Sequence, residues 1–316
     1  MTSIWATRQA TGASALRSGI RVLGLCVVEA RPAVLSISTL RYLAGAALAV
    51  PAGAMPDPAK VLQGAVAWVL SILAIYLYNG VTDVTEDRVN HSRRPIARGD
   101  LDPRTAVAVA LVAAGLSLGV TLALPVQVTW MVGANLLLGY LYSGPPFPLK
   151  SGSGGTIIVL CVSGLLSYWC GFFISTGGES VSTPLELIVF AIAATYWMTL
   201  VGVPAKDLSD IDGDAAAGRR TIGVTLGERT SRCVMSVAAA VLVAAFGVTI
   251  LVLGIPLIGA FVAMSAGAAA VIMAGRAASV KGSRRRQRRP YRVFMATQHL
   301  VHITALISNM SSYMLL

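Results

Sequence analysis

Three observations in the sequence predict an all-α polytopic membrane protein: scarce charge, recurrent long apolar runs, and basic residues gathered between alternate runs. Of 316 residues, 55% are hydrophobic and 12% charged, whereas a soluble domain carries about 25% charged residues. Apolar runs of roughly 18 to 23 residues recur, each long enough to cross a hydrocarbon core about 30 Å thick. They lie near 34–55, 62–83, 105–124, 126–143, 155–175, 185–206, 233–252, 254–275 and 294–315, which predicts nine transmembrane helices. The shortest connections fall at Pro125 and at Gly254-Ile255-Pro256. No polar stretch is long enough for a soluble domain, so one helical domain over 33–316 is expected behind a cytoplasmic arm, residues 1–32.

That arm lacks the short apolar core and cleavage site of a secretory signal. Residues 13–30 mix Arg17 and Arg21 with Leu16, Ile20, Val22, Leu23 and Leu25, the pattern of an amphipathic helix lying on a membrane surface. Cys26, Cys161, Cys170 and Cys233 lie in or beside apolar segments without a C-x-x-C pair, and read as buried free thiols.

With the N-terminus inside, all but two of the 25 lysines and arginines fall on the cytoplasmic side. The exceptions are Arg41, within the first span, and Lys60, in the first outer turn. Such asymmetry is what the positive-inside rule expects of a multi-pass plasma-membrane protein. The net charge of +11 then reports topology and contact with the anionic lipid bilayer, with no nucleic-acid partner. The run Arg284-Arg285-Arg286-Gln287-Arg288-Arg289 reads as a cytoplasmic anchor.

Only 14 acidic residues exist, and six of them are named in two short phrases at cytoplasmic helix ends. The first phrase is Asn79-x-x-x-Asp83-x-x-x-Asp87, whose spacing by four puts all three on one helical face. The second is Lys206-Asp207-x-x-Asp210-x-Asp212-Gly213-Asp214. There Asp207, Asp210 and Asp214 lie close to one face, and Asp212 falls off it towards solvent. Gly213 suggests a turn that would place Asp214 in a loop. A carboxylate deep in lipid costs roughly 2.5 kcal/mol or more, so such clusters need a reason. Bound divalent cations with a phosphate-bearing substrate supply one, because Mg²⁺ prefers carboxylates together with substrate phosphate and water. Arg93, Arg94, Arg98, Lys150, Lys206, Arg219 and Arg220 lie nearby, as a diphosphate requires, though each also serves the positive-inside bias.

These phrases carry a resemblance. Asn79-Gly-Val-Thr-Asp83-Val-Thr-Glu-Asp87, followed by Arg94-Pro95, resembles the first signature of the UbiA superfamily of intramembrane prenyltransferases. Lys206-Asp207-Leu-Ser-Asp210-Ile-Asp-Gly213-Asp214, with Gly218-Arg-Arg-Thr221 after it, resembles the second. Tyr142-Ser-Gly-Pro145-Pro146-Phe-Pro-Leu-Lys150 is similar to the loop after the fourth span, and Arg31-Pro32 precedes the first. The resemblance covers nearly the whole chain. It implies nine helices in a ring around a central cavity under a cytoplasmic polar cap. It further implies Asn79, Asp83 and Asp87 as one Mg²⁺-ligand set and Asp207, Asp210 and Asp214 as the other. Arg94, Lys150 and Lys206 would then grip the diphosphate. One departure stands out: Gly80 occupies a position where many relatives have Asp.

An allylic diphosphate ionises when its leaving group is stabilised and a dry apolar wall protects the carbocation. Tyr76, Tyr78, Trp130, Tyr140, Tyr142, Tyr168, Trp169, Tyr196 and Trp197 could furnish aromatic wall, with Tyr140 and Tyr142 singled out beside the Lys150 loop. The expected activity is transfer of a prenyl group from an isoprenyl diphosphate to an aromatic or other lipophilic acceptor. Arg41, a charge in mid-span, has two readings: a partner for an acceptor carboxylate, or a partner for a polar group within the bundle. A terpene cyclase would need the same ionising motifs. A non-catalytic ion transporter is the remaining alternative, disfavoured because both clusters lie on one side among phosphate-gripping bases.

Overall fold

The computed structural model describes residues 18–49, 57–277 and 284–314. The expected amphipathic helix appears as α1, 18–29, its predicted start at 13–17 lying outside the described residues. There follow α2 (Pro32–Leu48), α3 (Pro58–Thr82), the short α4 (Val84–Val89) and α5 (Pro95–Arg98), α6 (Pro103–Thr121) and α7 (Val126–Ser143). A 3₁₀ turn at Leu149–Ser151 leads into α8 (Ser153–Ser175) and α9 (Leu185–Tyr196). A π-helical stretch, Trp197–Gly202, joins α9 to α10 (Val203–Asp207). The chain continues through α11 (Ile211–Ala216), α12 (Ile222–Val252), α13 (Ile258–Ala277), α14 (Arg284–Gln287) and α15 (Arg289–Met314).

Local chemistry sets these boundaries. Asp57 and Asp102 cap α3 and α6, accepting from the backbone N–H of Ala59 and Thr105 at 2.9 Å, each ahead of a proline at the first helical position. Such caps stabilise a helix by about 1 kcal/mol. Pro204 lacks the N–H that a regular helix would use, and the wider π turn immediately precedes it.

Among the described residues six helices are long and apolar enough to cross a membrane: Pro58–Thr82, Pro103–Thr121, Ser153–Ser175, Leu185–Asp207, Ile222–Val252 and Ile258–Ala277. Three of the predicted spans fall short by this measure. The first is α2, 17 residues long, and residues 50–56 beyond it lie outside the described set. The fourth, α7, is diluted by Gln127 and Asn135, which bond the carbonyl of Gly178 (2.9 Å) and the hydroxyl of Ser71 (3.2 Å). The last, α15, begins with Arg289 and Arg292 and carries Gln298, His299 and His302. The predicted seventh span starts earlier than expected, at Ile222, with a break at Gly227 (φ 80°, ψ 170°).

Helix α3 packs on α6, α2 on α8, α12 on α13 and α13 on α15, and α15 returns to α2. Crossing α2 over α8 requires glycine on both sides: a Cβ at Gly45 would strike the backbone of Tyr168, and one at Gly171 that of Tyr42. Small residues at such crossings let backbones approach and gain dispersion where lipid removes the hydrophobic drive. Helix α1 exposes Ile20 and Leu23 but turns Cys26 and Glu29 inward, Cys26 packing with Leu77 and Ile96.

Candidate active site

The helices surround an open cavity of roughly 1350 Å³, counting the space continuous with solvent. Asn79, Asp83, Asp207 and Asp214 line it together with Lys150, Lys206 and Arg219. Tyr76, Tyr142, Leu160, Met198 and Phe294 supply apolar wall, and Arg41 and Gln298 lie in the same wall.

The first motif spans a helix junction. Helix α3 ends at Thr82, Asp83 leaves helical geometry (φ −97°, ψ 7°), and α4 carries Asp87. Backbone bonds from Asp83 to Asn79 (2.9 Å) and from Asp87 to Asp83 (2.8 Å) carry the four-residue repeat across the break. The amide of Asn79 donates to Ser143 Oγ at 3.0 Å. Asp83 is the hub, with Lys150 Nζ and Arg219 Nη2 each at 2.6 Å and Arg94 Nη1 at 3.7 Å. Burial pushes its carboxyl up, but Lys150 and Arg219 outweigh burial and hold it below the usual carboxylate range. For Lys150 burial dominates and lowers its pKa. Asp87, implied by the resemblance as a metal ligand, is buried against Arg94 at 2.7 Å and does not line the cavity.

The second motif is folded differently from its sequence reading. The turn lies at 208–210, and Gly213 sits inside α11, where its missing side chain lets Asn90 approach and accept from Gly213 N–H at 3.0 Å. Asp214 is therefore helical rather than in a loop. Asp210 pairs with Lys206 at 3.0 Å, away from the cavity lining. Burial opposes ionisation of Asp210, yet Lys206 and its hydrogen bond bring the carboxyl down to about 2. For Asp214 burial wins over Lys206 and Arg219, and its carboxyl is raised. Asp212 is exposed, as its position off the face implied.

Arg219 joins the two motifs. Its Nη2 lies 2.6 Å from both Asp83 and Glu86, and its Nη1 lies 3.4 Å from Asp214. The Lys150 and Arg219 loops are stitched by a Gly152–Arg220 bridge, with Arg220 N–H donating to the Ser151 carbonyl at 2.7 Å. Arg93, Arg98 and Arg220 are exposed and line no part of the cavity. Arg94 also stays behind the carboxylates, held by Asp87 and by Glu29 at 2.7 Å. It is a partner of the acids rather than a cavity cation.

No three His, Cys, Asp or Glu side chains among the described residues stand close enough to form a metal cage alone. The oxygen set nonetheless suits a hard cation that keeps water and phosphate as its remaining ligands. Asp207 Oδ2 and Asp214 Oδ2 are buried without a hydrogen-bond partner, although both residues line the cavity. Such orphaned acceptors are costly unless a cation or donor completes them. The three histidines lie elsewhere, His299 on Ser36 and His302 on Tyr168, each at 2.7 Å, and His91 in an exposed loop.

Of the predicted aromatic wall, Tyr76 and Tyr142 line the cavity. Tyr140 does not: it stacks on Tyr78, is half exposed, and donates its hydroxyl to the Pro145 carbonyl at 3.1 Å. Helical spacing turns Tyr140 and Tyr142 to different sides of α7. Tyr291 and Phe294 of α15, unremarked in the sequence, take the place on the wall. Arg41 finds a partner within the bundle, donating from Nη2 to Gln298 Oε1 at 2.9 Å, while its buried Nε has none.

Residues 40–298 match the UbiA prenyltransferase family, and the chain belongs to that family. It is 30% identical to digeranylgeranylglyceryl phosphate synthase of Methanopyrus kandleri over 80% of this chain and 88% of that protein. The same-named protein of Natronomonas pharaonis is 30% identical over 57% of this chain and 62% of its own length. A probable homogentisate phytyltransferase 2 of Oryza sativa is 31% identical over 54% and 46%. The chain thus spans less than two thirds of these last two relatives. In fold it is similar to a UbiA homolog from Archaeoglobus fulgidus bound to GPP and Mg²⁺, with a TM-score of 0.70 at 16% identity, over 92% of this chain and 99% of that one.

Proposed function

We propose that the chain is a Mg²⁺-dependent intramembrane prenyltransferase, moving a prenyl group from an isoprenyl diphosphate to an aromatic or other lipophilic acceptor. The observation that carries this reading is the cavity's division into an end of oxygen donors and cations and an apolar wall. Asn79, Asp83, Asp207 and Asp214 would hold the metal, with Asp87 and Asp210 behind them on Arg94 and Lys206. When bound, Mg²⁺ supplies charge that neutralises the leaving diphosphate. Lys150, Lys206 and Arg219 would donate to diphosphate oxygens as the allylic C–O bond breaks and its electron pair leaves with the diphosphate. Tyr76 and Tyr142 would flank the carbocation, and the apolar wall would keep water from it. The acceptor would then form the new bond and release a proton.

Arg41 favours transfer over cyclisation. A cavity for hydrocarbon alone gains nothing from a buried guanidinium, whereas its unpartnered Nε suits an acidic group on an acceptor. The names of the relatives, which include homogentisate phytyl transfer and digeranylgeranylglyceryl phosphate synthesis, support a lipophilic or aromatic acceptor. The return of α15 to α2 supports a ring of nine helices, with the Arg94, Lys150 and Arg219 loops as a cytoplasmic polar cap. In this arrangement 33–316 forms the prenyltransferase domain, 1–32 its cytoplasmic arm, and the plasma membrane its site.

Incubating the purified protein with Mg²⁺ and prenyl diphosphates of several lengths should give adducts only when an acceptor is added, and none in excess EDTA. Products without acceptor would favour a cyclase, and undiminished turnover in EDTA would remove the metal from the mechanism. Cysteines replacing the exposed Asp100 and Ala217, on a cysteine-free background, should resist an impermeant thiol reagent in intact cells. One replacing Ser180 should label. Labelling of Asp100 and Ala217 positions on opposite sides would separate the two motifs and defeat the assignment.

A further inference from the structure

Glu29 lies in α1, outside the matched segment 40–298, and is completely buried. A buried carboxylate is costly unless it is paired and hydrogen-bonded. One oxygen of Glu29 accepts from Ile96 N–H at 2.9 Å, and the other sits 2.7 Å from Arg94 Nε as a close charge contact. The opposite edge of the same guanidinium holds Asp87 at 2.7 Å and reaches Asp83 at 3.7 Å. Gly80 makes the arrangement possible, since a Cβ there would collide with Glu29 Oε1 and Arg94 Nη2. One buried arginine is thus shared between an acid of the N-terminal helix and the first aspartate motif.

We infer that Glu29 is a positioning residue for metal binding: together with Asp87 it retains Arg94 when Asp83 turns to the cation. This rests on the proposed metal role of the first motif. Without Glu29, the buried Arg94 charge would keep only Asp87 as a close partner and would draw on Asp83, 3.7 Å away, competing with the metal for that carboxylate. The N-terminal helix then belongs to the working site rather than to a surface arm.

The test is the Mg²⁺ concentration that half-saturates the rise in melting temperature of the full-length protein in detergent with inorganic diphosphate. Wild-type protein must show that rise; its absence would refute the metal reading itself rather than the role of Glu29. In Glu29→Gln the half-saturating concentration should increase about tenfold, while Glu29→Asp, which keeps the charge, should move it less. In an Arg94→Gln background the same Glu29→Gln change should have almost no effect, since the cation through which Glu29 acts is gone. An equal shift in both backgrounds, or none in either, overturns the inference. If Glu29→Gln alone does not fold, recovery of folding in the double variant supports the shared-cation role, and continued failure overturns it.

Discussion

Asp83→Asn should lower turnover about a hundred- to a thousandfold at saturating Mg²⁺ and substrate, the cost of removing one preorganised charge from a leaving-group site. The substitution keeps the shape of the side chain, so volume is not the cause. It removes a cavity-lining oxygen charge and leaves both Lys150 and Arg219 without the carboxylate that each touches at 2.6 Å. Asp212→Ala is the matched control: that carboxylate is exposed, and its loss should change turnover less than twofold, in line with ordinary surface substitutions. Steady-state kinetics on the two variants decide the matter. Retention of more than a tenth of wild-type turnover by Asp83→Asn, or a loss in Asp212→Ala to match it, would mean that the metal-binding oxygens have been misassigned.

Arg219→Gln should destabilise the metal-free protein by about 3 kcal/mol, the lower range for breaking a buried ion pair. The side chain is 10% exposed and faces Asp83, Glu86 and Asp214, so its loss leaves three clustered carboxylates with one cation fewer. Added Mg²⁺ should recover much of this loss, because a divalent cation relieves the same repulsion. Melting curves with and without Mg²⁺ test the idea. An identical loss in both conditions would show that Arg219 acts only through packing.

The sequence exposes the site unevenly, and charge in an apolar context explains why. Asp83, Asp207 and Asp214 stand out because acids are rare and the clusters interrupt hydrocarbon, and all three reach the cavity. Helix positions follow from the apolar runs, although Gln127 and Asn135 blur α7 and the histidines and arginines blur α15. What periodicity cannot report is pairing at a distance. Arg219 and Asp83 lie 136 residues apart, and no local spacing distinguishes Arg219 from exposed Arg220 beside it. Glu29 and Glu86 look like ordinary acids on short helices, yet both are buried partners of site arginines. Their signal was available only as carboxylates opposite apolar neighbours, which many surface helices also show.

Counting by 3.6 along Leu185–Asp207, the sixth predicted span, gives the wrong facing for its last turn. The π stretch 197–202 accommodates an extra residue, so Lys206 and Asp207 arrive rotated by roughly 100° from where a regular α-helix begun at Leu185 would put them. An ungapped alignment with a relative whose helix stays regular would therefore match residues that point in different directions past this segment. Deleting a single residue there would alter no side chain of the second motif, yet it would swing the whole ligand set away from the chamber it now faces.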